Sequence, residues 1–452
     1  MPLAALPLPA TLALAALVGL LLGAAVNWAA YWLAWNRRHV SPWSPPHEQA
    51  PPRRASDRIP LLGWWGLRRE HPVHGRGFWV RPIAVELMMA VGVAALVWWE
   101  VDRLGLIRGQ FAHLAGAWPP VAAMKVASSA LWPAVIAHVV LLTLMAAASL
   151  IDIDEKLIPD EITVYGTLIG LALAAWTPFV LLPQVTDRQA PAERGEPILL
   201  NLRGQWQHRG GDVEPSGHAA PAPLSEDRIK NKSPRDLAVA LACYAVWCFA
   251  LTPRIFRRRH GWRRGLAVLL ARVRRELLRP PLLWLELGGA AMIVAAWLRG
   301  GPGWAGLYSA LIGMLGGGAL VWGVRIVGSW ALQREAMGFG DVTLMMMIGA
   351  FVGWQACVFI FFAAPLAGLL VGVVQLVLRR GDEIPYGPFL CLATVAVVAA
   401  WAAIWSRFAV MFEIPWLVPA ALGICLPVLG AMLVLWRNIK EAIFGPLEED
   451  LR

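Results

Sequence analysis

Long apolar runs separated by charged segments organise this chain. A helix needs about 20 mainly apolar residues to cross a bilayer, and runs of this kind recur along the whole sequence. They predict an all-α polytopic membrane protein, with about 8–11 transmembrane helices packed as a bundle. We place eleven predicted spans at residues 11–35, 83–101, 121–151, 162–183, 238–252, 281–298, 304–328, 342–354, 356–378, 387–405 and 416–436, of which 342–354 is short for a full crossing.

Composition and charge support a membrane protein. Hydrophobic residues make up 58% of the chain and charged residues only 15%, against about 25% charged in a typical soluble domain. The net charge of +10 comes largely from arginines in the loops 36–82 and 253–280. Because Lys and Arg collect in cytoplasmic loops, these clusters predict a first span that starts outside. The charge is therefore explained by topology, and we predict no nucleic-acid partner.

Cysteine usage excludes two common site types. All five cysteines lie in apolar runs and none forms a CxxC pair, so neither a disulfide framework nor a cysteine zinc site is predicted. The N-terminal run has no charged segment before it, and we interpret it as a retained first span and not a cleaved signal peptide. The five residues are Cys243, Cys248, Cys357, Cys391 and Cys425.

One long segment interrupts the membrane pattern. Residues 184–237 are rich in Pro, Gly and charged residues and poor in aromatics, which is typical of a flexible or lightly folded external insertion. The chain then divides into an N-terminal region with a basic loop, a first aspartate region, an insertion with an extra span and a second basic loop, and a C-terminal membrane region. Their bounds are 1–101, 102–182, 183–280 and 281–452.

Two aspartates carry the candidate chemistry. Asp152 directly follows an apolar run, and Asp341 follows Gly338 and Gly340 at the start of another. An ionisable group at membrane depth costs roughly 2.5–3.5 kcal/mol on insertion scales, so such groups indicate function. The topology puts both aspartates at the cytoplasmic ends of their helices. Two carboxylates that meet in a dry site suggest an aspartic protease.

Structural explanations compete for the same residues. Glycines let a backbone approach closely, so Gly338 and Gly340 suit a carboxylate held beside a second helix, but Asp341 is also an acceptable N-cap of a re-entrant turn. Pro159 and Asp160 fit the start and the cap of the next helix. The nearby Asp154 and Glu155 are interpreted as solvated loop charges.

Three motifs in order resemble the type IV prepilin leader peptidases. They are Leu150–Thr163 around the first aspartate, Gly338–Trp354 with the GxGD sequence, and Ile384–Leu390 with the sequence Ile-Pro-Tyr-Gly-Pro-Phe-Leu. The resemblance implies a GxGD aspartic protease-like helical bundle, an intramembrane aspartic endopeptidase with Asp152 and Asp341 as its catalytic pair. It also implies a multi-pass protein of the bacterial inner membrane, in contact with lipid, that cuts prepilin or pseudopilin-like proteins. No cofactor is implied for proteolysis.

The N-terminal region resembles the family less closely, over Gly23–Tyr31, Arg58–Trp64 and Arg81–Leu87. Many members carry two CxxC pairs here as a zinc site, and bifunctional members methylate the new N-terminus. Because this chain has no such pairs, methyltransferase activity is in doubt, and S-adenosylmethionine is predicted as a cofactor only if that activity is present. His47, His71 and His74 could bind a metal, but we interpret them as surface histidines and predict no metal site.

Two other functions remain open on the residues alone. A transporter or channel would use the aspartates to relay protons or bind cations, and a scaffold would use neither. Lys125 and His138 in the third span are expected to pack against polar partners and not to take part in catalysis. Gly19, Gly23 and the glycines of 313–318 are predicted to allow close helix packing.

Overall fold

Helices dominate the structure, a computed structural model that describes residues 6–37, 40–107, 131–183, 198–200, 206–208, 211–213, 233–252, 275, 279–377, 385–414 and 416–444. The helices are α1 Leu8–Trp32, α2 Leu62–Leu67, α3 His71–His74, α4 Val80–Val97, α5 Trp132–Glu155, α6 Asp160–Trp176, α7 Pro234–Ala250, α8 Pro280–Arg299, α9 Gly301–Leu332, α10 Phe339–Val352, α11 Trp354–Val377, α12 Gly387–Ala399, α13 Trp401–Glu413 and α14 Leu417–Phe444. Short 3₁₀ turns lie at Ala55–Arg58, Arg68–Glu70 and Pro178–Val180, and a π turn at Trp98–Asp102 extends α4.

The described helices confirm a polytopic membrane protein, and they differ in how well their lengths suit a full crossing. Seven are long and apolar enough to cross a bilayer, and an eighth span is possible if α12 and α13, which meet at 87°, count as one. Each of the other three predicted spans does form a helix. These helices, α6, α7 and α10, have 17, 17 and 14 residues. Two of them lie at the lower end of the range of roughly 17–25 residues for a crossing, and α10 lies below it.

Helix α10 lies at the centre of the bundle. Every residue from Asp341 to Val352 is buried, and α10 packs against α5, α6, α9, α11 and α12. A helix that is apolar on all sides must be surrounded by protein or lipid, and here it is surrounded by protein. The first turn of α10 is therefore held from several directions at once.

Small residues bring the backbones of neighbouring helices together, as predicted. Gly313 of α9 faces Gly349 of α10 so closely that a β-carbon on either would overlap the other's backbone oxygen. Gly19 and Gly23 of α1 meet Met89 and Glu86 of α4 in the same way. Close backbone approach increases van der Waals contact, which drives helix association in membranes.

The insertion contains a small antiparallel sheet. Strands β1 Ile198–Leu200, β2 Trp206–His208 and β3 Gly211–Val213 pair in the order β1-β2-β3. Ile198 pairs with His208, and His208 pairs with Gly211. The strands are an addition to the predicted all-helical fold. Most of the segment 184–237 lies outside the described residues, and so does most of the basic loop 253–280.

Candidate active site

Asp152 lies on the inward face of α5, one turn before the helix ends. Its side chain is 4% exposed, whereas that of the next residue, Ile153, is 49% exposed. The helix ends at Lys156, which adopts a left-handed conformation and donates its N–H to the carbonyl of Asp152 at 2.8 Å. A left-handed residue is a common way to stop a helix. The chain then turns back through Ile158 into α6.

Asp341 is the third residue of α10 and is 8% exposed. The N-cap of this helix is Gly338, which has no side chain to cap the helix. Asp341 therefore does not serve as the N-cap. A carboxylate in the first turn of a helix still interacts favourably with the helix dipole. Gly340 faces Ile158, and a β-carbon there would lie 3.1 Å from that of Ile158.

A third helix start completes the site. Gly387, the first residue of α12, presents its backbone N–H to the Asp152 carboxylate. A β-carbon at Gly387 would overlap Oδ2 of Asp152 and lie 3.1 Å from Ile158. Ile158, itself buried, therefore separates and positions the starts of α10 and α12. The sequence did not single it out, although it lies within the first resembling motif.

The two aspartates lie near each other, and their role as a catalytic pair stays a prediction. Their carboxylates are close enough to interact electrostatically. Oδ2 of Asp152 is buried and has no hydrogen-bond partner among the described residues. A buried, unsatisfied polar atom is rare in native proteins and often marks a functional site. The pair can therefore hold a proton or bind a polar substrate group.

Two further polar side chains lie near the pair, one on α12 and one on the residue that precedes it. Tyr386 interacts electrostatically with Asp341, and Cys391 with both aspartates. The Cys391 thiol also makes a hydrogen bond with Ser149, one turn before Asp152 on α5. Sequence reasoning quoted Tyr386 and Gly387 only as part of the third motif and gave no role to Cys391. Ile384 of that motif lies outside the described residues.

Pro159 and Asp160 differ in part from expectation. Pro159 is the N-cap of α6 and Asp160 is the first helical residue, without a side-chain capping hydrogen bond. The prediction that Asp160 caps the helix is therefore wrong by one position. Its exposed carboxylate lies in the first turn, where it complements the helix dipole. Asp160 takes no part in the carboxylate pair.

The two carboxylates that follow Asp152 bind distant residues and are not solvated loop charges. Asp154 forms a salt bridge with Arg81 at 2.6 Å. Glu155 accepts hydrogen bonds from the backbone N–H groups of Trp35 and Asn36 at 2.6 and 2.9 Å. These contacts join the C-terminal end of α5 to the segment between α1 and α4. That segment therefore lies at the same end of the bundle as the two aspartates.

A buried carboxylate anchors this segment on the membrane helices. Glu86 of α4 is 1% exposed and accepts hydrogen bonds from the backbone N–H of Leu61 at 2.6 Å, the indole N–H of Trp64 at 2.8 Å and the amide of Asn27 at 3.3 Å. The residues come from the three N-terminal segments that resemble the family. The three segments therefore meet at Glu86.

Two of the three histidines, His47 and His74, have local partners. His74 lies 3.3 Å from the buried Glu70, and His47 Nδ1 accepts the N–H of Gln49 at 3.3 Å. In the described part of the chain no group of three or more His, Cys, Asp or Glu side chains could hold a metal ion. His138 of α5 packs against Glu100 at 2.6 Å, both buried, which confirms a polar partner for that residue. Lys125 lies outside the described residues.

Comparison with known proteins identifies a family segment. Residues 275–373, which include Asp341 but not Asp152, match the model of the type IV leader peptidase family. The chain is similar to prepilin leader peptidase/N-methyltransferases. It is 30% identical over 175 residues to the Pseudomonas aeruginosa protein, covering 35% of this chain and 54% of the relative. The corresponding proteins of Aeromonas hydrophila and Stutzerimonas stutzeri are 31% and 34% identical over 116 residues, covering 25% of this chain and 37% of each relative.

The matches are partial in both directions. The chain spans about half the length of the Pseudomonas aeruginosa relative and just over a third of the other two. No solved structure matches the chain significantly. Residues 275–373 of the chain thus match the type IV leader peptidase family model, and Asp341 lies within the matched residues.

Proposed function

We propose that this chain is an intramembrane aspartic endopeptidase that removes the basic leader of prepilin or pseudopilin-like proteins at the cytoplasmic face of the membrane. The observation that carries the proposal is the proximity of Asp152 and Asp341, two buried carboxylates from separate helices. The family segment and the names of the relatives support the same reaction class.

The carboxylate pair would work through a shared proton. Two adjacent carboxylates do not both ionise easily, so one keeps its proton and the pair titrates as a unit. The ionised member takes a proton from water, and the water oxygen attacks the scissile carbonyl carbon. The protonated member donates a hydrogen bond to the carbonyl oxygen. When the carbon–nitrogen bond breaks, the leaving amine receives a proton from the pair. No covalent intermediate is required.

The surroundings of the pair suit this chemistry. The N–H of Gly387 faces Asp152 and supplies a fixed dipole beside the carboxylate. Burial on α5, α10 and α12 limits access of bulk water, and electrostatic interactions are stronger where water is excluded. Oδ2 of Asp152 has no protein partner among the described residues and is the atom on which we place the attacking water.

The position of the site suits a substrate that has a basic leader followed by an apolar segment. The aspartates lie at the end of the bundle that also carries the arginine-rich segment between α1 and α4. A substrate whose basic leader stays in the cytoplasm and whose apolar segment enters the bilayer would present the bond between them at this level. We therefore propose a prepilin-like membrane protein as the substrate class and the inner membrane as the location.

Co-expression with a prepilin-like substrate tests the proposal. We expect Asp152→Asn and Asp341→Asn each to abolish leader removal, measured by gel shift and by mass spectrometry of the new N-terminus. Asp160→Asn is the matched control, because this exposed aspartate lies nearby and outside the pair; it should cleave at the parental rate. Full cleavage by either pair variant would remove that residue from the mechanism. Aspartate-dependent proton flux without cleavage would favour a transporter.

The same mass spectrum addresses methylation. The relatives are named N-methyltransferases as well as peptidases, but the cysteine pairs that make the family's zinc site are absent from this chain. Our proposal is therefore limited to cleavage. A methyl group on the new N-terminus would add the second activity, with S-adenosylmethionine as the methyl donor.

A further inference from the structure

A basic cavity of about 680 Å³ lies in the segment between α1 and α4. Its lining combines arginines, a histidine and two tryptophans, and it comes entirely from residues 54–79. The lining residues are Arg54, Trp65, Gly66, Arg68, Arg69, His71, Arg76, Gly77 and Trp79. None of them belongs to the carboxylate pair or to its surroundings, so the proposed peptidase reaction leaves the cavity unexplained.

The cavity keeps a positive charge after its internal ion pairs are counted. Arg69 is paired with the buried Asp57. Arg68 lies over the ring of Trp65 at 4.7 Å, and among the described residues neither Arg68 nor Arg76 has a carboxylate partner. Arginine presents a planar fork of donors that matches phosphate oxygens, and it stacks on aromatic rings while doing so. The chemistry therefore favours an anionic phosphate group.

An exposed apolar surface lies beside these arginines. Helix α2 buries Gly63, Trp64 and Leu67 but leaves Leu62 67% exposed and Trp65 50% exposed. A short helix with one apolar face turned outward suits the boundary between headgroups and acyl chains. A phosphate compound dissolved in water would gain nothing from such a surface, whereas a lipid would contact it with its acyl chains.

The position along the chain points to the same ligand. Trp79 of the cavity directly precedes Val80, where the candidate span Val80–Asp102 begins. Tryptophan is enriched at membrane interfaces because its ring is apolar and its N–H is polar. Trp65 and Trp79 meet edge to face, with ring centres 5.0 Å apart. The cavity thus lies where a membrane helix emerges, at the level of lipid headgroups.

We propose that this cavity binds the phosphate headgroup of an anionic phospholipid. The lipid belongs to the leaflet at the end of the bundle that carries Asp152 and Asp341. Arg68 and Arg76 hold the phosphate, and Leu62 and Trp65 contact the acyl chains. The site is separate from the carboxylate pair and does not depend on the peptidase reaction.

Photo-crosslinking of the full chain tests the site. The protein is reconstituted in phosphatidylcholine vesicles that contain a photoactivatable phosphatidylglycerol, and crosslinks are mapped by mass spectrometry. We expect crosslinks on residues 54–79 that unlabelled phosphatidylglycerol removes. One cation near an anionic surface changes lipid affinity about fivefold. Arg68→Gln and Arg76→Gln should therefore each raise, by about that factor, the concentration of unlabelled phosphatidylglycerol that is needed to remove the crosslinks.

Controls distinguish binding in the cavity from the attraction of anionic lipid to any exposed arginine. Arg58→Gln removes an exposed arginine of the same segment that lies over Trp43 at 5.5 Å, outside the cavity; it should compete as the parent does. An equal loss in Arg58→Gln would show attraction by charge alone and overturn the site. Competition by inorganic phosphate as effective as that by the lipid would overturn the choice of ligand. Thermal unfolding in phosphatidylcholine alone checks that each variant is folded.

Discussion

Gly387 illustrates how a single residue type shapes the candidate site. Its backbone approaches Asp152 so closely that no β-carbon fits between them. Gly340 has a similar but looser relation to Ile158, at 3.1 Å. Glycine is the residue that permits such close approach. The close packing of the starts of α10 and α12 around the carboxylate pair therefore requires glycine at positions 340 and 387.

We expect Gly387→Ala to lower the rate of leader cleavage about tenfold to a hundredfold. The added β-carbon would displace the Asp152 carboxylate, and a shift of about 1 Å in a reacting group costs up to about a hundredfold. Initial rates on a reconstituted prepilin-like substrate measure the effect. Gly372→Ala is the control, because nothing lies within 4 Å of a β-carbon at that position of α11. Parental rates for both variants would contradict the role given to Gly387.

At the scale of elements, ion pairs hold the segment between α1 and α4. The buried Glu70 accepts two hydrogen bonds from Arg53, each at 3.0 Å. Asp57 is 2% exposed and binds Arg69 and the backbone N–H of Arg54. Burial alone raises the pKa of Asp57, but the hydrogen bonds from Arg69 and Arg54 outweigh it and hold the pKa below its ordinary value of 3.8.

The lowered pKa of Asp57 predicts acid sensitivity of this segment. The ionised form is favoured in the folded state, so its stabilising contribution is present above the unfolded pKa of 3.8 and is lost as the pH falls through the lower folded value. Hydrogen exchange of residues 54–70, corrected for the intrinsic pH dependence, should show protection that falls below about pH 4.

Asp57→Asn should weaken the protection of residues 54–70 already at neutral pH. It should also remove the part of the acid-induced loss of protection that comes from protonation of Asp57. Glu48→Gln is the matched control, since it changes an exposed carboxylate of the same segment. If Asp57→Asn exchanged at the parental rate at neutral pH, the ion pair with Arg69 would contribute nothing to the stability of the segment.

The contact between α9 and α10 is a second element-scale feature. The backbones of Gly313 and Gly349 touch, and this contact helps hold α10, whose first turn carries Asp341, at the centre of the bundle. We expect Gly313→Ala to lower the free energy of unfolding by about 1–3 kcal/mol, as overpacked positions do. Detergent-induced unfolding measures the change. Gly288→Ala, in open space on α8, should be no less stable than the parent, because alanine forms helix more readily than glycine. A Gly313→Ala variant as stable as Gly288→Ala would contradict tight packing at Gly313.

At the scale of the whole molecule, the N-terminal third is tied to the first aspartate helix. Arg81 and the backbone of residues 35–36 bind the two carboxylates that follow Asp152. The segment between α1 and α4, the end of α5 and the start of α6 therefore belong to one face of the membrane. The arginine distribution predicts that this face is cytoplasmic.

Cysteine accessibility tests that orientation. In a Cys425→Ser background, which removes the exposed native cysteine, Ser56→Cys and Asp160→Cys should react with an impermeant maleimide from the cytoplasmic side. Arg103→Cys, at the other end of α4, should react from the outside. All three positions are exposed. Labelling of Ser56→Cys and Asp160→Cys from opposite sides would contradict the shared face.

The sequence alone predicted the class of protein, a helix at each of the eleven apolar runs and two aspartates as a candidate pair, but not the short helices α2 and α3 within the loop 36–82. Apolar length and charge bias are local properties that act on each segment separately, which is why they can be read without a fold. They indicated that 342–354 is short for a full crossing, but they did not predict that α6 and α7 have only 17 residues each.

Only the tertiary structure decided which residues surround the aspartates. Gly387 and Cys391 of α12 lie beside Asp152 of α5, and Ile158 lies against Gly340 and Gly387. These contacts join residues far apart in sequence, and no local pattern encodes them. The same holds for Asp154 and Glu155, whose charges look solvated in the sequence but bind distant partners. Local patterns determine where helices form, whereas the packing of these helices against one another determines what each side chain touches.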